Sequence, residues 1–144
     1  MGQFALFAAV AVSWFLPPRW PEAVAVPFSA LGASLSLVGL VLLVAAYREL
    51  GPSFTPFPRP SEESERVVES GPYRYVRHPI YAGGLLLFGG VALGTSMIAL
   101  VLTAGLASLW AGKLQLEERL LEERFPDYAE YRRDTRWRLV PGIY

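Results

Sequence analysis

Between Pro79 and Gly112 the chain runs for 34 residues without a charged side chain. As one helix that stretch would be roughly 50 Å long at about 1.5 Å per residue, too long for a hydrocarbon core of about 30 Å. Two short arms fit better, with a break at Gly94-Thr95-Ser96. Residues 1–47 carry only Arg19 and Glu22, so a similar reading applies there. The sequence therefore predicts an all-α integral membrane fold with four transmembrane helices, spanning about 3–16, 28–47, 79–94 and 96–112. The last two form a helical hairpin in the C-terminal half. Pro17, Pro18 and Pro21 predict a tight loop over 17–27. Ala30, Gly32, Ala33, Ser34, Ser36 and Gly39 make the first half of the second span a close-packing surface. Residues 1–16 have no basic lead and no small-residue cleavage site, which predicts a retained span.

Charge placement orients these spans. Four spans put 48–78 and 113–144 on one side, with 12 of the 13 basic residues; the other side has Arg19 alone. The positive-inside rule makes 48–78, 113–144 and both termini cytoplasmic. The length predicts a single domain, 1–144. A formal net charge of zero argues against a nucleic-acid partner. Without cysteine and with one histidine, His78, neither a thiol nucleophile nor a usual metal cluster is expected. Apolar residues are 53% of the chain, and its alanine and arginine content points to a bacterial inner-membrane protein.

Two polar stretches flank the apolar hairpin. The first is Gly71-Pro-Tyr-Arg-Tyr-Val-Arg-His-Pro-Ile-Tyr-Ala-Gly83. Pro79 suits a first helical turn, where its missing N–H is no loss. The amides of Ile80, Tyr81 and Ala82 would then face an anion at the positive end of the helix, with Arg77 and His78 adding donors. The plainer alternative makes Arg77 and His78 interfacial anchors on lipid headgroups. The second stretch holds Lys113 and Glu117, four apart and so on one helix face, next to Glu118. Either they form a solvated ion pair, or the carboxylate faces inward to hold hydroxyls or an ammonium. Tyr128, Tyr131 and the arginines beyond them read as a headgroup-facing surface. No phosphate-binding glycine loop or dinucleotide fingerprint is present.

Taken together, these residues resemble the isoprenylcysteine carboxyl methyltransferase family, its bacterial relatives and the phospholipid methyltransferases. The likeness rests on the 71–83 stretch, the hairpin, Glu117-Glu118-Arg-Leu-Leu-Glu-Glu-Arg-Phe125, Tyr128-x-x-Tyr131 and Arg138-Leu-Val-Pro141, with Phe54-Thr-Pro-Phe57 upstream. It implies S-adenosylmethionine-dependent methyl transfer, with S-adenosylhomocysteine as product. The cytoplasmic loop and tail would form the cofactor site, and a lipidic acceptor would enter from the bilayer. Family activity is carboxyl O-methylation of an isoprenylcysteine-like substrate. Carried over by motif, Glu65, Arg66, Val67, Val68, Tyr73, His78, Pro79, Ile80, Tyr81 and Glu117 would contact the cofactor. Lys113 stands where the prenylcysteine enzymes have a substrate-contacting arginine. No residue is assigned as a catalytic acid or base, because a carboxylate acceptor needs none. Phospholipid N-methylation and a non-catalytic lipid-binding role are the alternatives.

Overall fold

A computed structural model describes residues 2–17, 19–55 and 67–143. Five α-helices occur among them: α1 (Gly2–Ser13), α2 (Glu22–Leu50), α3 (Pro79–Thr95), α4 (Met97–Arg124) and α5 (Tyr128–Asp134). Short 3-10 turns lie at Gly51–Ser53 and Gly71–Arg74. No strand is found among the described residues. Two helices, those beginning at Glu22 and Met97, are long and apolar enough to cross a membrane; α1 and α3 are apolar but shorter.

The chain separates into two compact units. The first comprises Met1–Val41 and Gly83–Trp110. Within it the start of α2 lies backbone to backbone on α3. A side chain at Gly90 would place its Cβ 2.5 Å from the Gly32 carbonyl oxygen and 2.6 Å from the Ser36 nitrogen. Ser36 and Ser29 donate hydroxyl hydrogen bonds to the Leu87 and Gly94 carbonyls, at 3.1 and 3.2 Å. The small residues of α2 thus let two helices approach until hydroxyls reach the neighbouring backbone. Phe7 of α1 packs 5.4 Å from Phe88 and 5.8 Å from Trp110, ring centre to ring centre. Trp110 also covers Gly84, so α3 and α4 run antiparallel.

The turn between these helices is a single residue. Ser96 closes α3 through its N–H to the Ala92 carbonyl. Its hydroxyl then caps α4 by accepting the Ala99 N–H at 3.2 Å, the usual work of an N-cap serine.

Two expected boundaries move. The loop expected over 17–27 ends early: α2 starts at Glu22 and contains Pro27. The Pro21 carbonyl accepts the Val24 and Ala25 N–H groups, so the turn after Pro21 already begins the helix. Pro27 removes one helical hydrogen bond without ending the helix, a loss apolar helices tolerate. Within the first span expected over 3–16 the α-helix ends before the span does. Helix α1 ends at Ser13, whose hydroxyl turns back to the Val10 carbonyl at 2.7 Å. Trp14, Phe15 and Leu16 continue only as i−3 turns.

The second unit comprises Leu42–Ala82 and Ala111–Tyr144. Phe125, Tyr128 and Tyr131 form its buried cluster, with Val67 and Leu121 packed against them. The Tyr131 hydroxyl donates to the Tyr73 carbonyl at 2.8 Å, joining α5 to the 71–74 turn. That turn opens on Gly71 at φ 57°, a left-handed conformation for which glycine is the natural residue.

Candidate functional site

All side chains of the site belong to the second unit. Residues 77–78 and 137–138 pair through their backbones: Arg77 N–H donates to the Trp137 carbonyl and His78 N–H to the Arg138 carbonyl, both at 2.9 Å. Pro79 comes next, as the fully buried first residue of α3. The His78 carbonyl accepts the Ala82 N–H at 3.1 Å, so one of the three amides expected to face an anion is already engaged.

Glu118 sits at the centre, 3% exposed. One carboxylate oxygen receives Arg77 Nε and Nη2, each at 2.8 Å, and lies 3.2 Å from His78 Nε2. Its other oxygen pairs with Arg138 Nη2 at 2.8 Å. Arg77 Nη1 donates to the Thr135 and Arg136 carbonyls, both at 2.8 Å. Burial by itself would raise the Glu118 carboxyl. The hydrogen bonds from His78 and Arg77, and their charge, outweigh it and hold the group down at about 2, against an ordinary 4.5.

In this cluster Arg77 and His78 turn to Glu118, and Arg77 also to the tail backbone, rather than outward as headgroup anchors. Arg77 is 7% and His78 5% exposed, and the polar atoms described above turn inward. The cluster also divides the tail arginines that sequence places on one headgroup-facing surface. Arg138 joins Glu118, and Arg132 pairs with Glu122. Tyr128 and Tyr131 are core residues, 1% and 4% exposed. Burial first, then neighbouring charges, pushes their hydroxyls and that of Tyr73 well above the ordinary phenol range, so they remain neutral.

Glu118 escaped the sequence reading, which singled out Glu117. A signal was available. Leu114, Leu121 and Phe125 lie at −4, +3 and +7 from Glu118, on one helical stripe. A carboxylate inside an apolar stripe needs cations against it, and buried Arg77 and half-buried Arg138 supply them.

Glu117 is one residue further back, about 100° around α4. Its carboxylate accepts the Tyr81 hydroxyl at 2.9 Å. Lys113 lies one turn earlier, with Nζ 5.6 Å from the Tyr81 ring centre. The Tyr81 ring also meets the His78 imidazole edge-on at 6.0 Å. Lys113, Glu117 and Tyr81 are all half-buried, so they form a partly open layer beside the closed Glu118 cluster. Tyr73 is buried, while Val67, Val68 and Ile80 are half-buried. Glu65 and Arg66 lie outside the described residues. Among the described residues no group of three or more His, Cys, Asp or Glu gathers as if for a metal ion.

Two helices long and apolar enough to cross a membrane, with a polar site where α3 begins and α4 turns charged, suit a membrane-associated helical protein. The family model for phospholipid methyltransferases matches residues 28–128, from early α2 to the start of α5 and including both polar stretches. The chain belongs to the phospholipid methyltransferase family, which includes isoprenylcysteine carboxyl methyltransferase-like proteins. It is 31% identical over 118 residues to the cobalt-zinc-cadmium resistance protein CzcN of Cupriavidus metallidurans, covering 81% of this chain and 49% of that protein. It is also 31% identical over 75 residues to the nickel-cobalt-cadmium resistance protein NccN of Alcaligenes xylosoxydans xylosoxydans, covering 51% of this chain and 35% of that protein. The chain thus spans about half the length, or less, of these relatives. No solved structure matches it.

Proposed function

We propose that this protein transfers a methyl group from S-adenosylmethionine to a lipidic acceptor at the cytoplasmic face of a bacterial inner membrane. The observation that carries the reading is the family match, which takes in the Tyr81–Glu117–Lys113 layer. In this proposal the chain crosses the bilayer four times, at about 3–16, 28–47, 79–94 and 96–112, with both termini inside. The residues present fit the cofactor chemically. Glu117 can accept hydrogen bonds from ribose hydroxyls or an ammonium, held in place by Tyr81. The half-buried Tyr81 ring offers a π face to a sulfonium or to adenine. Bound S-adenosylmethionine supplies an electrophilic methyl on a positively charged sulfur.

Every other contribution comes from the chain. Lys113 sits where it can hold a carboxylate or phosphate of the acceptor. Half-burial of this layer strengthens such contacts by limiting water. No proton acceptor is needed if the acceptor is a carboxylate, so positioning and water exclusion carry the rate. Carboxyl O-methylation of an isoprenylcysteine-like lipid is the finer form of the proposal.

Calorimetric titration of the detergent-purified protein with S-adenosylhomocysteine tests the cofactor half. Glu117→Gln is expected to weaken binding at least about tenfold, or roughly 1.4 kcal/mol. Unchanged affinity would remove Glu117 from the site, and no binding by folded wild type would remove the proposal. Lys113→Ala is expected to lower kcat/KM for the acceptor about tenfold while S-adenosylhomocysteine affinity stays within about twofold. Parallel losses in both would deny Lys113 its acceptor role.

The family description favours a second reading, N-methylation of a phospholipid amine. Product chemistry separates the two. A carboxyl methyl ester releases methanol in mild alkali, and an N-methyl group does not.

A further inference from the structure

The second unit has another polar site, which shares no residue with the Tyr81–Glu117–Lys113 layer. The backbone pairing of 77–78 with 137–138 sets the segment before α3 beside the tail. Between them is a surface cleft of about 270 Å³, walled by Arg74 and Tyr75 on one side and Asp134, Arg136 and Trp137 on the other. The Arg74 guanidinium lies 5.8 Å from the Tyr75 ring centre, and that of Arg136 lies 5.8 Å from Trp137. Neither arginine enters an ion pair among the described residues, unlike Arg77, Arg132 and Arg138. Two guanidiniums against one carboxylate leave the cleft formally positive. Ligand pockets for drug-sized molecules span about 300–1,000 Å³. This cleft suits a headgroup better than a nucleoside.

Its surroundings indicate what kind of headgroup. Tyr75 is 64% exposed, and further along the tail Val140 and Ile143 are 45% and 79% exposed. Trp137 is half-buried. Aromatic rings and arginines, with exposed aliphatic side chains a few residues further along the tail, are the mix found where protein meets the membrane–water interface. We propose that the Arg74–Arg136 cleft binds the phosphodiester of an anionic phospholipid, whose acyl chains lie along Tyr75, Val140 and Ile143. The two guanidiniums take the phosphate oxygens. Asp134 accepts hydroxyls of a polyol headgroup such as glycerol. Contact of acyl chains with exposed apolar side chains, which a free anion cannot make, favours a lipid diester over inorganic phosphate. The site stands apart from the Tyr81–Glu117–Lys113 layer and does not depend on the methyltransferase reading.

The full chain, purified in neutral detergent, is titrated with short-chain phosphatidylglycerol while tryptophan emission is followed. Short-chain phosphatidylcholine and inorganic phosphate are the comparison arms. Saturable binding of phosphatidylglycerol is expected, at least tenfold tighter than either and weakened by added salt. Trp137→Phe should remove most of the signal. Arg74→Gln combined with Arg136→Gln should weaken binding at least tenfold with the melting temperature little changed. Arg74→Lys with Arg136→Lys should retain most of it, which keeps the test decisive should the glutamine pair misfold. Equal binding of phosphatidylcholine would overturn the anionic assignment. Equal binding of inorganic phosphate would make the cleft a solute site and overturn the lipid assignment. Undiminished binding by a folded glutamine variant would overturn the site itself. S-adenosylhomocysteine affinity, measured on the same preparations, reports separately on the methyltransferase proposal.

Discussion

Glu118→Ala is expected to cost about 3–5 kcal/mol of stability, the usual penalty for removing one partner of a buried ion pair. Arg77 would keep its bonds to the Thr135 and Arg136 carbonyls but lose both bonds to carboxylate, leaving a guanidinium charge buried without a counter-ion. Arg138 would lose its ion pair with Glu118. Glu117→Gln, on the half-buried neighbouring face, should change the melting temperature little. Thermal unfolding of both variants in detergent makes the comparison; equal melting temperatures would show that the Glu118 cluster does not hold the second unit together.

The same residue sets an acid limit. The Glu118 carboxyl is lower in the folded protein, at about 2, than its ordinary 4.5. Its contribution is therefore complete above about 4.5 and is lost as pH falls towards 2. The groups facing it are Arg77, His78 and Arg138, with the Tyr128 and Tyr131 hydroxyls nearby. Wild type should lose melting temperature across that window faster than Glu118→Gln. Identical acid profiles would contradict this assignment.

Gly90→Ala and Gly32→Ala are expected to destabilise the first unit by about 1–3 kcal/mol each, the range for overpacking. At Gly90 the new methyl would sit 2.5 Å from the Gly32 carbonyl oxygen, and at Gly32 it would overlap the Gly90 carbonyl. These obstacles are backbone atoms, so no rotamer change relieves them and the helices must separate. Gly89→Ala and Gly105→Ala meet nothing within 4 Å. Alanine's better helix propensity should leave these two neutral or up to about 1 kcal/mol more stable. Opposite signs at Gly89 and Gly90, adjacent on one helix, form the test. Four similar values would mean that close approach does not stabilise the packing of α2 on α3.

Helix α3 and the break at Ser96 could be read from sequence because their signals are local. A charge-free run has two ends, and a serine between glycine-rich and leucine-rich segments can cap only the helix on its C-terminal side. The start of α2 misled because prolines 17, 18, 21 and 27 look alike in sequence, although only the first three precede the helix. Pro27 falls inside it, where the flanking apolar run prevails over one lost hydrogen bond. The Glu117-Glu118 pair stands out in sequence, but its division does not. Which carboxylate turns inward depends on where Arg138 ends up, and that is settled by backbone pairing between segments about 60 residues apart. The headgroup-facing surface expected of the tail loses Tyr128 and Tyr131 to the core, and Arg138 is half-buried against the acid it neutralises.

The discontinuity of the second unit also has a consequence in time. Its parts are Leu42–Ala82 and Ala111–Tyr144, whereas the first unit needs nothing beyond Trp110. A growing chain therefore holds every segment of the first unit before Glu118 has been made. Arg138 comes 20 residues after Glu118, roughly 1–4 s at translation rates of about 5–20 residues per second. During that interval Glu118 has only Arg77 and His78 to meet it. Assembly of the polar site thus follows synthesis of the first unit, and nascent chains pass through a stage with the segments of that unit made and the Glu118 cluster unfinished.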